Sequence, residues 1–238
     1  MKNKLSSFLL CVVFTLCATV ASAQSAPNLG TAVTFAILAP AGFTNAGPSA
    51  VVGDVGTTGT SCTGFTEDPC TEGPGQVVGA VHVADPTAVK AAADLVTAYN
   101  RTAGLQHGRG KFLLANSGDL GGKTLVPGLY TVHADLAIKA GETLRLIGNP
   151  TSIFIFQVGT SVAVFQGGKI TLVGGVKPAN IFWQVGTAFT MAASANISGT
   201  IMASTGVTMA AGATLNGRAL TTGASVTLSS NEVLLPLP

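Results

Sequence analysis

Three stretches near the C-terminal end of the chain repeat one another: Thr187-Ala-Phe-Thr-Met-Ala-Ala, Thr205-Gly-Val-Thr-Met-Ala-Ala and Ala224-Ser-Val-Thr-Leu-Ser-Ser. Their alignment places three threonines in one column, 18 and 19 residues apart: Thr190, Thr208 and Thr227. The same alignment puts Ile197 over Leu215 and Ile201 over Leu220. A period of about 20 residues with several short strands per repeat is typical of a β-solenoid, whose coils stack because one coil cannot bury its own inner side chains.

The repeat also predicts which side chains point outward. Side chains alternate along a strand, so the column of Phe189, Val207 and Val226 is expected to face inward. The outward positions are then all small and uncharged: Ala188, Gly206, Ser225, Thr190, Thr208, Thr227, Ala192, Ala210 and Ser229. Thr187 and Thr205 are predicted at the corner where the strand begins.

Upstream the repeat is looser. The runs 153–159 and 181–186 are nearly identical at an offset of 27, which predicts an insertion around residues 174–180. Residues 134–141 resemble one further coil. Residues 29–56 contain strand-like runs and turns, but their place in the stack cannot be read from the sequence.

Charge is scarce in this chain. Only 9% of residues are charged, and between Lys177 and Glu232 the one charged residue is Arg218. The formal net charge is +2, and it falls to zero when Lys2 and Lys4 are removed, leaving 10 basic against 10 acidic residues. The sequence therefore lacks the excess of basic residues that attracts nucleic acid. Disorder is not expected either, because hydrophobicity is high and charge is low.

The N-terminal residues have the pattern of a secretory export signal. Lys2 and Lys4 precede the apolar run Leu5–Val20, and Ala21-Ser22-Ala23 is a small-residue cleavage pattern. Residues 1–23 are therefore predicted to be a secretory signal peptide, and residues 24–238 a single extracellular domain without membrane attachment. The alternative is a membrane anchor, for which the apolar run is short against the roughly 20 residues needed.

Two local features interrupt the β-pattern. Residues 85–103 are expected to form an amphipathic helix, with Asp85 as the N-cap and Pro86 in the first turn. Cys62 and Cys70 lie eight residues apart in a polar loop, about 57–78. In an oxidising compartment they are predicted to form a disulfide, whereas a metal site, the alternative, would need further ligands nearby.

Short motifs spread over nearly the whole mature chain resemble the large microbial ice-binding protein family. They are Leu29-Gly-Thr-Ala, Phe35-Ala-Ile-Leu, Gly53-Asp-Val-Gly, Ala98-Tyr-Asn, Asp119-Leu-Gly-Gly, Pro127-Gly-Leu-Tyr, Phe154-Ile-Phe-Gln, Phe182-Trp-Gln-Val-Gly and Asn216-Gly-Arg. The resemblance implies a right-handed, mostly β solenoid of triangular section with one long α-helix alongside. It also implies a discontinuous coil order, with the N-terminal part inserted between later coils.

The resemblance further implies an ice-binding face bearing a T-A/G-x-T/N motif. Thr187-Ala188-Phe189-Thr190 and Thr205-Gly206-Val207-Thr208 match the motif, while Thr160-Ser161-Val162-Ala163 and Ala224-Ser225-Val226-Thr227 match it in part. The expected function is adsorption to ice through ordered water, with thermal hysteresis and inhibition of ice recrystallisation. The predicted site residues are Thr187, Ala188, Thr190, Thr205, Gly206, Thr208, Ser225, Thr227, Thr160 and Ser161.

Other interpretations remain open from the repeat alone. Threonine is a good outward β residue, so a threonine column can be purely structural. An extracellular adhesive or structural module would use the same neutral solenoid. An enzyme is disfavoured because the acids are scattered and no nucleophile motif is present. We expect no cofactor, no metal and a monomer.

Overall fold

The computed structural model describes residues 24–70, 72–105, 111–113 and 118–236, with the backbone alone for 111–113. The predicted signal peptide lies outside the described residues. One helix, α1, spans Pro86–Ala103, and two short 3-10 turns span Gly30–Thr34 and Pro178–Asn180. None of the helices in the described ranges has the length and apolar character that a membrane span requires.

The strands are short and numerous. In chain order they are β1 Phe35–Leu38, β2 Phe43–Asn45, β3 Ala50–Val52, β4 Asp54–Thr57, β5 Cys62–Thr63, β6 Gln76–Val78, β7 Val81–Val83, β8 Lys111–Leu113, β9 Thr124–Leu125, β10 Gly128–Val132, β11 Leu136–Ile138, β12 Thr143–Ile147, β13 Phe154–Val158, β14 Val162–Val164, β15 Lys169–Val173, β16 Ile181–Val185, β17 Phe189–Met191, β18 Asn196–Ala203, β19 Val207–Met209, β20 Thr214–Thr221, β21 Val226–Leu228 and β22 Glu232–Leu234. Every recorded strand pair is parallel, as stacked coils require.

Parallel stacking generates three faces, which confirms the predicted triangular solenoid. The small-residue face is a seven-stranded sheet in the order β11, β14, β17, β19, β21, β2, β5. The helix-side face contains β10, β13, β16, the second halves of β18 and β20, then β1, β4 and β7. The third face contains β12, β15, the first halves of β18 and β20, then β22, β3 and β6.

The coil order is discontinuous, but not in the way the resemblance implied. The N-terminal coils, β1–β3 and β4–β7, stack beyond the last C-terminal coil and form one end of the molecule, so they are not inserted between later coils. Helix α1 then carries the chain back along the stack. Its 18 residues span about 27 Å, more than five coils at about 4.8 Å each.

The helix forms because local signals and packing agree. The Asp85 side chain accepts a hydrogen bond from the Ala88 amide at 2.7 Å, and Pro86 occupies the first turn, where its missing N–H is not needed. The buried helix residues Ala91, Leu95 and Ala98 pack in a second core against the helix-side face. At the other end the Gln157 amide nitrogen donates to the Thr102 carbonyl at 2.5 Å.

The main core lies inside the solenoid. Tyr130, Phe156 and Trp183 occupy one register position on successive coils and stack, with centroids 5.3 and 4.0 Å apart. The side chains of Phe154 and Phe189 are also buried in this core, and Phe182 is buried on the helix side. Such stacking within a parallel ladder adds to the free energy of simple area burial.

Two register expectations have different outcomes. Ile197 lies over Leu215 as predicted, but Ile201 lies over Ala219, because β18 and β20 keep an offset of 18 residues throughout. The additional residue of the next repeat lies in the corner at 222–224.

The insertion expected around 174–180 is confirmed. It forms a longer loop at the corner between β15 and β16 and ends in a 3-10 turn.

The long strands β18 and β20 turn a corner without breaking. Gly199, with φ of +113°, provides the bend in β18, a conformation that glycine adopts without steric cost. Gly217 stacks directly on Gly199, where a Cβ atom would collide with the Gly199 carbonyl oxygen. The two glycines therefore permit continuous strands across two faces.

Candidate small-residue binding face

Five threonines form an unbroken column on the small-residue face. Strand pairing places their Cα atoms in register in the order Thr190, Thr208, Thr227, Thr44 and Thr63. All five side chains are exposed, while the residues before and after them in the strands are buried, as in Phe189–Met191 and Val207–Met209. Alternation along each strand thus directs the threonines to solvent and anchors them to the core.

The rows on either side of the column carry almost no side-chain bulk. The row before the threonines consists of Ala188, Gly206, Ser225, Gly42 and Ser61, linked by backbone hydrogen bonds between successive coils. The row after them contains Ala192, Ala210, Ser229 and Ala46. None of these outward side chains is charged, so the five coils present a flat, neutral surface.

Each strand of this face is one rung, and the five rungs that carry threonine define the threonine plane. Four steps at the usual strand spacing give a length of about 19 Å, and the outward rows span about 13 Å along the strands. A threonine in a strand is stiff about χ1 because it is β-branched. The plane therefore holds hydroxyl and methyl groups at regular positions without the freedom of long side chains.

Strands β14, β17 and β19 of this face each have a further threonine at the corner where they begin. Thr187 and Thr205 are exposed there, and the Thr187 carbonyl accepts the Thr205 amide at 3.1 Å. Thr160 precedes them in the same row, with its carbonyl accepting the Thr187 amide at 2.9 Å. The structure thus brings all ten sequence-predicted site residues to one face.

The charged groups of this face lie at one end, beyond the plane. Asp135 accepts hydrogen bonds from the Ser161 hydroxyl at 2.8 Å and the Ser161 amide at 3.1 Å. Hydroxyls of Thr160 and Ser161 lower the pKa of Asp135, so this carboxylate stays ionised. Lys139 forms an ion pair with Asp119 at 2.7 Å, and the neighbouring carboxylate raises the pKa of Lys139.

Arg218, the one charge within the repeats, lies away from the plane. It is buried on the helix-side face and donates to the Val33 carbonyl at 2.8 Å and to the Thr200 hydroxyl at 3.2 Å. Burial lowers its pKa to about 10, which leaves it cationic at neutral pH. Its hydrogen bonds attach the N-terminal segment to the coils.

Sequence reasoning missed two threonines of the plane, Thr44 and Thr63. Both belong to N-terminal coils whose place in the stack no local pattern revealed. A signal was present: Thr60-Ser61-Cys62-Thr63 has the same threonine spacing as Thr187–Thr190, and Ala41-Gly42-Phe43-Thr44 matches in part. The confirmed Cys62–Cys70 disulfide lies in that same terminal rung.

Nothing in the described part of the chain resembles a metal centre, since no three His, Cys, Asp or Glu side chains converge there. The arrangement offers an extended surface of hydroxyls and methyls. Its hydroxyl groups can hydrogen-bond to water at regular positions.

A family model described as ice-binding-like matches residues 37–234. The chain belongs to the ice-binding-like family. The matched range includes all five threonines of the plane and the helix.

Ice-binding proteins of known sequence support the same assignment. The chain is 34% identical to an ice-binding protein of Nostoc sp. strain HG1, over 97% of this chain and 82% of that protein. It is 36% identical to one from Flavobacterium frigoris strain PS1, over 88% of this chain and 76% of that protein.

Solved structures share the fold. The ice-binding protein of the Antarctic ascomycete Antarctomyces psychrotrophicus superposes with a TM-score of 0.82 at 34% identity, covering 90% of this chain and all of that one. An ice-binding protein with antifreeze activity from an Arctic yeast superposes with a TM-score of 0.79 at 34% identity, covering 89% of this chain and 94% of that one.

Proposed function

We propose that this member of the ice-binding-like family adsorbs to ice through its threonine plane. The observation that carries the proposal is the unbroken column of five exposed threonines on an uncharged face. The proposed site comprises eight residues predicted from the sequence, Thr187, Ala188, Thr190, Thr205, Gly206, Thr208, Ser225 and Thr227, together with Thr44 and Thr63. The other two predicted residues, Thr160 and Ser161, lie on the neighbouring β14 rung beside Asp135 and border the site.

The mechanism is the ordering of water by a rigid grid. The threonine hydroxyls form hydrogen bonds with water. The methyl groups form none, so the water molecules beside them bond to one another. Together these waters form a two-dimensional array above the plane. That array merges with the crystal surface. Each contact is weak, but the plane is preorganised, so little conformational entropy is lost on adsorption.

Adsorbed molecules pin the growing crystal, which lowers its freezing point locally and blocks recrystallisation. This action involves no chemical transformation of a substrate and no cofactor. The proposal further includes secretion after removal of residues 1–23 and action as a monomer. The Cys62–Cys70 disulfide supports an oxidising, extracellular setting.

The direct test compares wild type with Thr208→Tyr in a nanolitre osmometer. The tyrosine ring stands in the middle of the plane, so we expect loss of crystal shaping and of most thermal hysteresis. Asn216→Tyr is the matched control, because Asn216 is exposed on the adjacent third face, and it should keep full activity. Circular dichroism verifies that both variants are folded.

Wild-type protein that leaves ice crystals as smooth discs at high concentration would refute ice binding. The adhesive-module interpretation would then replace it. Equal loss in both tyrosine variants would refute the threonine plane as the site. Size-exclusion chromatography with light scattering tests the monomer, and mass spectrometry of secreted protein tests cleavage after Ala23.

A further inference from the structure

The small-residue face continues beyond the threonine plane, but its character changes there. The next two rungs are β14, which pairs in register with β17, and β11, which pairs in register with β14. Ala163 and Ala137 occupy the threonine column on these rungs. The backbone is therefore as regular as in the plane, and only the side chains differ.

Phe165 is the largest side chain on this extension. Its amide donates to the Ile138 carbonyl at 2.9 Å, and the Ala192 amide donates to the Val164 carbonyl at 2.8 Å. These bonds align Phe165 with Ala192 and place it in the row beside the threonine column. The rest of that row in the plane is alanine or serine, so the row changes abruptly from methyl groups to a phenyl ring.

The ring of Phe165 is not part of either hydrophobic core. It is 49% exposed, whereas Val162 and Val164, the inward residues of the preceding strand β14, are almost completely buried. A phenyl ring extends well beyond the Cβ atom at which Ala192 ends. A step therefore borders the plane at the β14 rung.

We infer that Phe165 sets the limit of the ice-contacting surface. This inference rests on the proposed function of the threonine plane. An ice surface is rigid and cannot follow a step, so the ring holds the crystal away from the β14 and β11 rungs. Water between the ring and Ala163 then cannot join the ordered array, and those rungs contribute nothing to adsorption.

The inference predicts a gain of function. Phe165→Ala removes the step, and Ala163→Thr added to it continues the threonine column by one rung. Position 163 tolerates threonine because it is partly exposed in a strand, where β-branched residues are favoured. Lys139 and Asp135 on the following rung still limit the enlarged surface.

The experiment measures thermal hysteresis at equal molar concentration for wild type, Phe165→Ala and Ala163→Thr/Phe165→Ala. We expect a shift to lower freezing temperature for the single variant and a further shift for the double variant. The total gain should resemble in size the loss caused by blocking the opposite end rung with Thr63→Tyr. Val126→Ala is the matched control, because Val126 is 50% exposed away from this face.

The outcomes separate the inference from the proposed function. An active wild type whose hysteresis is unchanged or reduced in Phe165→Ala overturns the limiting role of the ring, and a reduction would show that the ring itself contacts ice. An inactive wild type overturns both the inference and the proposed function. Thermal melts of every variant show whether it is folded at the freezing temperatures used.

Discussion

At the scale of single residues, the threonine plane depends on which side of a strand each side chain occupies. Thr208 is exposed between the buried residues Val207 and Met209, so a shift of one residue would exchange core and surface. The buried neighbours fix the register because their removal from the core is costly. Four of the five threonines, Thr190, Thr208, Thr227 and Thr44, are consequently held in position by a buried side chain on either side in the strand.

Thr44 tests whether the N-terminal coils belong to the plane. We expect Thr44→Tyr to reduce thermal hysteresis about as strongly as Thr208→Tyr, because both positions are inside the five-residue column. Ala50→Tyr is the control, being exposed on the third face of the same coil. Full activity of Thr44→Tyr in the osmometer would limit the site to the C-terminal repeats.

At the scale of elements, the disulfide holds the last rung of the plane. Cys62 is inside β5, directly before Thr63, and Cys70 is completely buried in the following loop. Phe65 in this loop packs edge-on against Phe43 of the preceding coil, with centroids 5.8 Å apart. The disulfide therefore helps to keep in register a two-residue strand that, within the described residues, pairs with β2 alone.

We expect Cys62→Ser/Cys70→Ser to lose about 2–3 kcal/mol of stability, the usual effect of releasing a loop of this size. Thermal hysteresis should fall to the level of Thr63→Tyr, since the terminal rung would no longer be ordered. The two variants are compared by denaturant unfolding and osmometry. Wild-type hysteresis in the double serine variant would show that Thr63 is positioned without the disulfide.

The C-terminal end of helix α1 is fastened by one buried amide. Gln157 is 6% exposed, and its nitrogen donates to the carbonyls of Thr102 at 2.5 Å, Ala103 at 3.3 Å and Leu105 at 3.3 Å. We expect Gln157→Leu to cost about 1–3 kcal/mol, because a buried carbonyl loses its partner. Denaturant unfolding measures the loss.

The exposed Gln166 provides the control for this effect, and Gln166→Leu should leave the unfolding free energy within about 0.5 kcal/mol. Thermal hysteresis of Gln157→Leu should stay near wild type, because the helix packs on a different face from the threonine plane. An equal effect of both substitutions would indicate that helix docking does not depend on this amide.

At the scale of the whole molecule, charge is sorted by face. Outward positions on the third face include Arg145, Lys169 and Glu232, whereas the outward side chains of the threonine plane are all neutral. Threonine hydroxyls do not titrate in the range in which proteins stay folded. Adsorption through this plane should therefore depend little on pH.

We expect thermal hysteresis to stay constant between about pH 5 and pH 9, a range that lies between the ordinary pKa values of carboxyl groups and of lysines. The lowered pKa of Asp135 keeps that neighbouring carboxylate ionised throughout this range. Osmometry in a buffer series tests this, with circular dichroism as the control for folding. A titration midpoint inside the range would implicate an ionisable group in ice contact.

The sequence by itself determined the local order of this protein. The repeat at Thr190, Thr208 and Thr227 indicated a solenoid and its inner and outer sides, since alternation and burial are local properties. Asp85 and Pro86 located the start of the helix for the same reason. The family motifs then indicated the solenoid with its helix alongside and the face that we propose binds ice.

Only the tertiary structure decided how far the plane extends. Thr44 and Thr63 join Thr227 because the N-terminal coils stack on the last coil, a pairing between segments more than 160 residues apart. No local pattern encodes such a contact, because it depends on the helix carrying the chain back along the stack. The limit at Phe165 also depends on the tertiary structure. Its exposed ring forms a step only because the stacked coils place alanine and serine in the rest of the same row.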